Sequence, residues 1–358
     1  MKRTIITGTG SYIPEVVIKN EDFINRQFLD ATGKPVAGGN LSIINKFFQI
    51  TGIRERRYVK PDQTTSGIAA LAAEQAIANS GINAEQLDVI IVAHNFGDVA
   101  GANMQVDTVP SLANRVKRAL GIQNPGCIAF DLLFGCPGWV QAMIQVDAMF
   151  KAGQASKALI IGAEILSRVV DVTDRDSMLF SDGAGATVLE YVGDEHTNSS
   201  AAGILSSAAL SHSMEELDYL RMDNANNEPD GHIHYMKMKG RRVYEYALTH
   251  VPAAMKHCLE KSAENVSDLK KVFIHQANEK MDEAIIEAFY KLYQLPAPPD
   301  VMPMCIRYLG NSSVATVPTL FDLVRRGCDP QHSIAPGDLI MFAAVGAGMN
   351  INAVCYRV

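Results

Sequence analysis

The feature that most limits the fold of this chain is an internal echo. Residues 66–93 run as a helical pattern, then Ser80-Gly81, Leu87 and the apolar run Val89-Ile90-Ile91-Val92-Ala93. Residues 248–275 repeat that order through Ser262-Ala263, Leu269 and Lys271-Val272-Phe273-Ile274-His275. Ser80 and Ser262 lie 182 residues apart, as do Leu87 and Leu269, so the register holds across the unit. Leu159-Ile160-Ile161 recurs 180 residues later as Leu339-Ile340-Met341. Short β-rich apolar runs alternate with longer helical ones, the α/β pattern. Duplication predicts two similar α/β halves packed face to face, with catalytic groups meeting at their junction. The halves are expected at 1–195 and 196–358, divided within the polar stretch Gly193–Ser200.

Strands are expected at Thr4–Thr7, Val89–Ala93, Ala129–Leu132, Ala158–Gly162, Gly185–Tyr191, Gly203–Ser207, Val272–His275 and Leu339–Ala344. Helices are expected at Ser66–Ser80, Val140–Ala152, Val243–Glu260, Glu279–Leu292 and Val314–Arg326. The longest uncharged stretch, Leu339–Tyr356, is broken by glycines and asparagines and reads as a buried strand plus loop, with no membrane span. Lys2-Arg3 and the four residues after them are too short for a signal-peptide core. A net charge of −7 argues against a nucleic-acid surface and suits small molecules or carrier proteins. Six cysteines with no CxxC pair and no zinc spacing suggest free thiols in a reducing cytoplasm, with no metal site.

One thiol stands out. Cys136 ends an apolar run in Phe134-Gly135-Cys136-Pro137-Gly138, and a helical pattern follows. A strand–turn–helix puts it at a helix N-terminus, where unpaired N–H groups favour a thiolate. Its bland alternative is a small buried hydrophobe. His275 closes the strand run 272–275, at the end where α/β folds carry their sites. Taken alone, Asn311 in Gly310-Asn311-Ser312-Ser313 reads as a loop before a helix. Asp182-Gly183-Ala184-Gly185-Ala186 and Val345-Gly346-Ala347-Gly348 read as tight turns with close backbone approach, and no dinucleotide or P-loop fingerprint is complete.

In order along the chain, these segments are joined by Gly8-Thr9-Gly10-Ser11-Tyr12-Ile13-Pro14, Thr51-Gly52-Ile53-Arg54-Glu55-Arg56 and Thr173-Asp174-Arg175. With the Cys136 segment, His275-Gln276-Ala277-Asn278 and Gly310-Asn311-Ser312-Ser313, the chain resembles the thiolase-fold condensing enzymes. The resemblance is strongest to the beta-ketoacyl-ACP synthase III group. It implies a five-layer α-β-α-β-α arrangement and a cofactor-free Cys136–His275–Asn311 set. It also implies an oxyanion hole from the backbone N–H groups of Cys136 and Ala347. Elongating synthases use a second histidine where Asn311 stands, and thiolases a second cysteine in the C-terminal glycine loop.

The departures are informative. At the position of a family Trp that stacks on CoA adenine stands Lys46; its Arg partner is matched by Arg175, and another family Arg is replaced by Ile50. The acyl donor is therefore open between acyl-CoA and acyl-ACP. Two phenylalanines that narrow the family's acyl pocket are replaced by Val109 and Val345, which predicts a chain longer than acetyl. An extra Gly/Pro-rich segment, Gln27–Ser42, reads as a loop insertion. Lys237, Lys239, Arg241, Arg242 and Lys280 form a basic rim suited to an acidic acyl carrier protein, with malonyl-ACP as extender. The resemblance further implies a homodimer in which the region near Val109 reaches the partner's pocket. Two alternatives stay open: a dialkylresorcinol or aryl-polyene type ketosynthase joining two fatty-acyl-derived thioesters, and a catalytically silent scaffold subunit.

Overall fold

The computed structural model describes residues 2–100, 105–193 and 202–358. The expected division between 195 and 196 lies outside the described residues. Five strands form the first sheet: β1 (Lys2–Tyr12), β2 (Val89–Ala93), β3 (Ile128–Leu132), β4 (Lys157–Ile165) and β5 (Asp182–Gly193), in the order β1-β5-β4-β2-β3. Four form the second: β6 (Gly203–Ser211), β7 (Leu269–Ile274), β8 (Leu339–Gly346) and β9 (Asn350–Arg357), in the order β6-β9-β8-β7. In both, two parallel strands (β2 and β4, β7 and β8) continue into an antiparallel pair, so the second sheet repeats the first without β3. The echo of residues 66–93 in 248–275 is thus carried by β2 and β7, which hold the same place in their sheets.

The central strands are apolar on both faces because both faces are covered. Val89, Ile91 and Ile160 of the first sheet, and Phe273, Ile340 and Phe342 of the second, meet around two central helices, α3 (Gly138–Lys151) and α6 (Thr316–Arg325). The alternate residues Ile90, Val92, Leu159 and Ile161 turn outward against α2 (Thr65–Ser80). Val272, Ile274 and Met341 turn outward against α4 (Gly240–Ser262) and α5 (Glu279–Lys291). Period-2 burial therefore builds five layers, helix pair, sheet, helix pair, sheet, helix pair, the first pair completed by the short helix Leu112–Ala119.

Three expectations are corrected. Leu339–Tyr356 is two antiparallel strands, β8 and β9, joined by a single turn at Ala347–Met349. Asp182-Gly183-Ala184-Gly185-Ala186 lies in β5 and is fully paired with β4, so it is no turn. The segment 27–42 is a loop only as far as Gly38; α1 (Gly39–Thr51) then begins, burying Ile43, Ile44, Phe47 and Thr51 on one face. That 3-4 spacing was in the sequence, masked by the glycines before it. The loop itself is tied down: Leu29 N–H donates to the Thr173 carbonyl (2.8 Å), and Asn226 Nδ2 donates to the Leu29 carbonyl (2.9 Å).

Candidate active site

Cys136 follows β3 by four residues and precedes α3, in a turn where Gly135 takes φ +68°. The turn after β8 faces it at backbone contact. A Cβ on Gly346 would stand 2.6 Å from Cys136 N, and one on Gly135 would stand 2.8 Å from Ala347 N. The amides of Cys136 and Ala347 are side by side because neither glycine has a side chain to separate them.

His275 is the residue after β7, its N–H donating to the Ala343 carbonyl of β8 (2.8 Å). Asn311 is held by backbone bonds on both sides, from its N–H to the Leu179 carbonyl (2.9 Å) and from Ser181 N–H to its carbonyl (2.8 Å). Ser313 N–H donates to Asn311 Oδ1 (2.8 Å), which leaves the amide's NH2 group facing the cavity. Cys136, His275 and Asn311 all line one cavity of about 1240 Å³ where the two sheets' strand ends meet. Residues 136, 275 and 311 thus converge from three connections of the duplicated fold.

Burial dominates the electrostatics. It pushes the Cys136 thiol up to about 11, against a hydrogen bond from Ser313 Oγ (3.2 Å). The expected thiolate is therefore not favoured: removal from water outweighs the helix N-terminus. Burial likewise holds His275 down to about 4, against a weaker upward pull from the Ser313 backbone, so the ring is neutral at pH 7. Its Nδ1 has no hydrogen-bond partner among the described residues. A neutral imidazole and an amide are donors that cost no buried charge.

Val345 lines the cavity, whereas Val109 is 85% exposed and does not line it in this chain. Lys46, Arg175 and Arg241 line the mouth, while Arg242 and Lys280 are exposed. Lys237 departs from the expected basic rim. It is buried, with Nζ 2.6 Å from Asp171 and 3.1 Å from Asp174, because strand alternation points it to the face opposite Met236 and Met238. Arg56 is also structural: buried, lowered to about 10 by desolvation, and donating to the Met178 carbonyl and Asn20 Oδ1.

Several lining residues escaped the sequence reading. Leu220, Met222, Met236 and Met238 share one face of a hairpin formed by Leu220–Asn224 and His234–Met238, paired Leu220 with Met238 and Met222 with Met236. Nothing in their spacing marked them as a cavity wall. Val36, Ala37 and Ser42 bring the 27–42 insertion to the mouth. Asn95 sits two residues past β2, at the strand end where such folds carry sites, and that position was a usable signal. Among the described residues no cluster could hold a metal ion, and no helix is long and apolar enough to cross a membrane.

Comparison with known proteins bears on this geometry. The family model for 3-oxoacyl-[acyl-carrier-protein] synthase III matches residues 130–209, and that for its C-terminal part matches 259–358. Beta-ketoacyl-[acyl-carrier-protein] synthase III of Erythrobacter litoralis is 33% identical with both chains covered in full. The Anaplasma marginale protein of the same name is 34% identical over 98% of this chain and 97% of its own. The crystal structure of 3-oxoacyl-[acyl-carrier-protein] synthase III from Aquifex aeolicus superposes with a TM-score of 0.79 at 30% identity, covering 99% of this chain and 100% of that one. With relatives matched from end to end and a shared thiolase-like fold, the chain belongs to the beta-ketoacyl-[acyl-carrier-protein] synthase III family, acyltransferases that act as condensing enzymes.

Proposed function

We propose that the protein loads an acyl chain on Cys136 and extends it by decarboxylative condensation with malonyl-ACP. The observation that carries this is the convergence of Cys136, His275 and Asn311 in one largely apolar cavity. In the first half-reaction the Cys136 sulfur attacks the donor thioester, and the adjacent N–H groups of Cys136 and Ala347 receive the tetrahedral oxyanion. The donor's C–S bond breaks and its thiol leaves with the proton. In the second, malonyl-ACP loses CO2. His275 Nε2 and Asn311 Nδ2 donate to the enolate oxygen, which cannot form in a dry cavity without donors. The enolate carbon attacks the acyl group, and Cys136 is released and takes a proton from water.

Val345 in place of a bulky aromatic, and the methionine face of the 220–238 hairpin, support a chain longer than acetyl, since thioether side chains adapt to irregular guests. Lys46, Arg175 and Arg241 at the mouth suit the phosphate of a CoA or carrier-borne pantetheine arm, and the exposed Arg242 and Lys280 suit an acidic carrier. The edge strand β3, with Ile128, Leu133 and the nearby Val109 exposed, supports a homodimer that covers them. Six free thiols suit a reducing cytoplasm.

Intact-mass analysis after exposure to a panel of acyl-CoA and acyl-ACP donors tests this. Wild type gains one acyl group, Cys136→Ala gains none, and Asn311→Ala is acylated but no longer releases CO2 from malonyl-ACP. Exclusive acetyl loading would sink the long-chain reading, and no acylation by any donor would sink the whole.

A further inference from the structure

A buried hydrogen-bond chain ends on the reacting sulfur. Glu164, fully buried in β4, accepts from the backbone N–H of Asn95 (3.0 Å) and from Asn95 Nδ2 (2.6 Å) through the same oxygen. Asn95 Nδ2 also contacts Ser313 Oγ (3.2 Å), and Ser313 Oγ contacts Cys136 Sγ (3.2 Å). The direction of this chain is fixed by donor chemistry. Glu164 Oε2, already accepting the Asn95 backbone N–H, stays an acceptor whether or not the carboxyl's other oxygen carries a proton, and so requires the NH2 side of the Asn95 amide. That NH2 group has two hydrogens, one for Glu164 and one for Ser313. Ser313 Oγ must accept from Asn95, and its own hydrogen is left for the sulfur. Ser313 is also held at φ +52°, a backbone conformation unfavourable for any residue but glycine and one that folds retain where it serves a site.

We propose that the Ser313 hydroxyl is a further catalytic group, a fixed donor to the Cys136 sulfur, with Asn95 and Glu164 as the positioning residues that aim it. This rests on the reading of Cys136 as the nucleophile. As the sulfur bonds to the acyl carbon, the carrier's C–S bond breaks and the thiol proton departs on the carrier sulfur. Ser313 transfers no proton. Its hydrogen bond is strongest on the anionic sulfur, as the proton leaves before attack and again when condensation expels Cys136, and it replaces the water that burial has removed. Burial alone raises the thiol, and this bond opposes it.

The test is iodoacetamide alkylation of Cys136 across pH, quantified by peptide mass spectrometry in wild type, Ser313→Ala, Ser313→Gly and Asn95→Ala. Alkylation at pH 7 is expected to slow roughly tenfold in both Ser313 variants, the worth of one hydrogen bond to an ionised group, with the midpoint moving to higher pH. Asn95→Ala shifts both in the same direction. Exposed Cys328 keeps its rate in every variant as the reagent control, and buried Cys127 and Cys355 stay unmodified wherever the fold is intact. Glycine accepts the positive φ without strain, so Ser313→Gly melts no lower than wild type and still loses reactivity. Unchanged rate and midpoint in the two Ser313 variants would overturn the proposal. Failure of any acyl donor to modify wild-type Cys136 would instead overturn the nucleophile reading on which it stands.

Discussion

Gly346 shows how little room the reacting centre leaves. A Cβ there would lie 2.7 Å from Pro137 Cδ and 2.9 Å from Cys136 Cβ, and neither neighbour is the end of a flexible chain. Gly346→Ala is expected to push the two turns apart, cost about 1–3 kcal/mol of stability, and slow acyl loading more than tenfold. Thermal melts and single-turnover acylation check both; a variant that loads acyl groups at the wild-type rate would show that the paired amides are not used. Cys136, His275 and Asn311 were legible because each sits in a short motif. Asn95 was marked only by its place past a strand end, and Glu164 and the methionines not at all, because what they touch is decided by another part of the chain. Lys237 looked like a surface base for the same reason.

The duplicated helix–strand units end their helices differently. Gly81 closes α2 in the left-handed conformation at φ +72°, and the matching position after α4 is Ala263 at φ +60°. An alanine there carries a steric penalty that glycine does not. Ala263→Gly is therefore expected to stabilise the protein by about 1 kcal/mol with unchanged activity, measured as a rise in denaturant midpoint at constant m-value. Boundaries of the regular elements were readable to within a few residues where apolar periodicity ran unbroken. Helix α1 and strand β9 were missed because glycines or asparagines interrupt their patterns.

At the scale of the molecule, Glu164 makes stability depend on pH. Burial raises its carboxyl to about 7 from an ordinary 4.5, against the pull of nearby His94 and the bonds from Asn95 and the Phe96 backbone. The unfolded chain releases this proton near 4.5 while the fold keeps it to about 7, so its contribution is present below 4.5 and lost as pH rises toward 7. Glu164→Gln should melt like wild type below pH 4.5 and gain up to about 3 kcal/mol by pH 7, level above it. A constant difference across that range would place the carboxylate outside this account. Charge reversal at Arg242 or Lys280 is expected to raise KM for carrier-borne substrates several-fold at low salt with kcat little changed, an effect that added salt removes. The duplication, the α/β class and the three motif residues were set by the sequence itself, since periodicity and local spacing record which face is buried and where a turn must fall. The cavity's walls, the neutral state of His275, the raised Cys136 thiol and the Asn95–Ser313 chain were decided by tertiary structure. Desolvation and hydrogen-bond direction belong to the surroundings of a group, and residues 36, 95, 222 and 313 come to line one cavity, with 164 behind 95, only when the two sheets close on their shared helices.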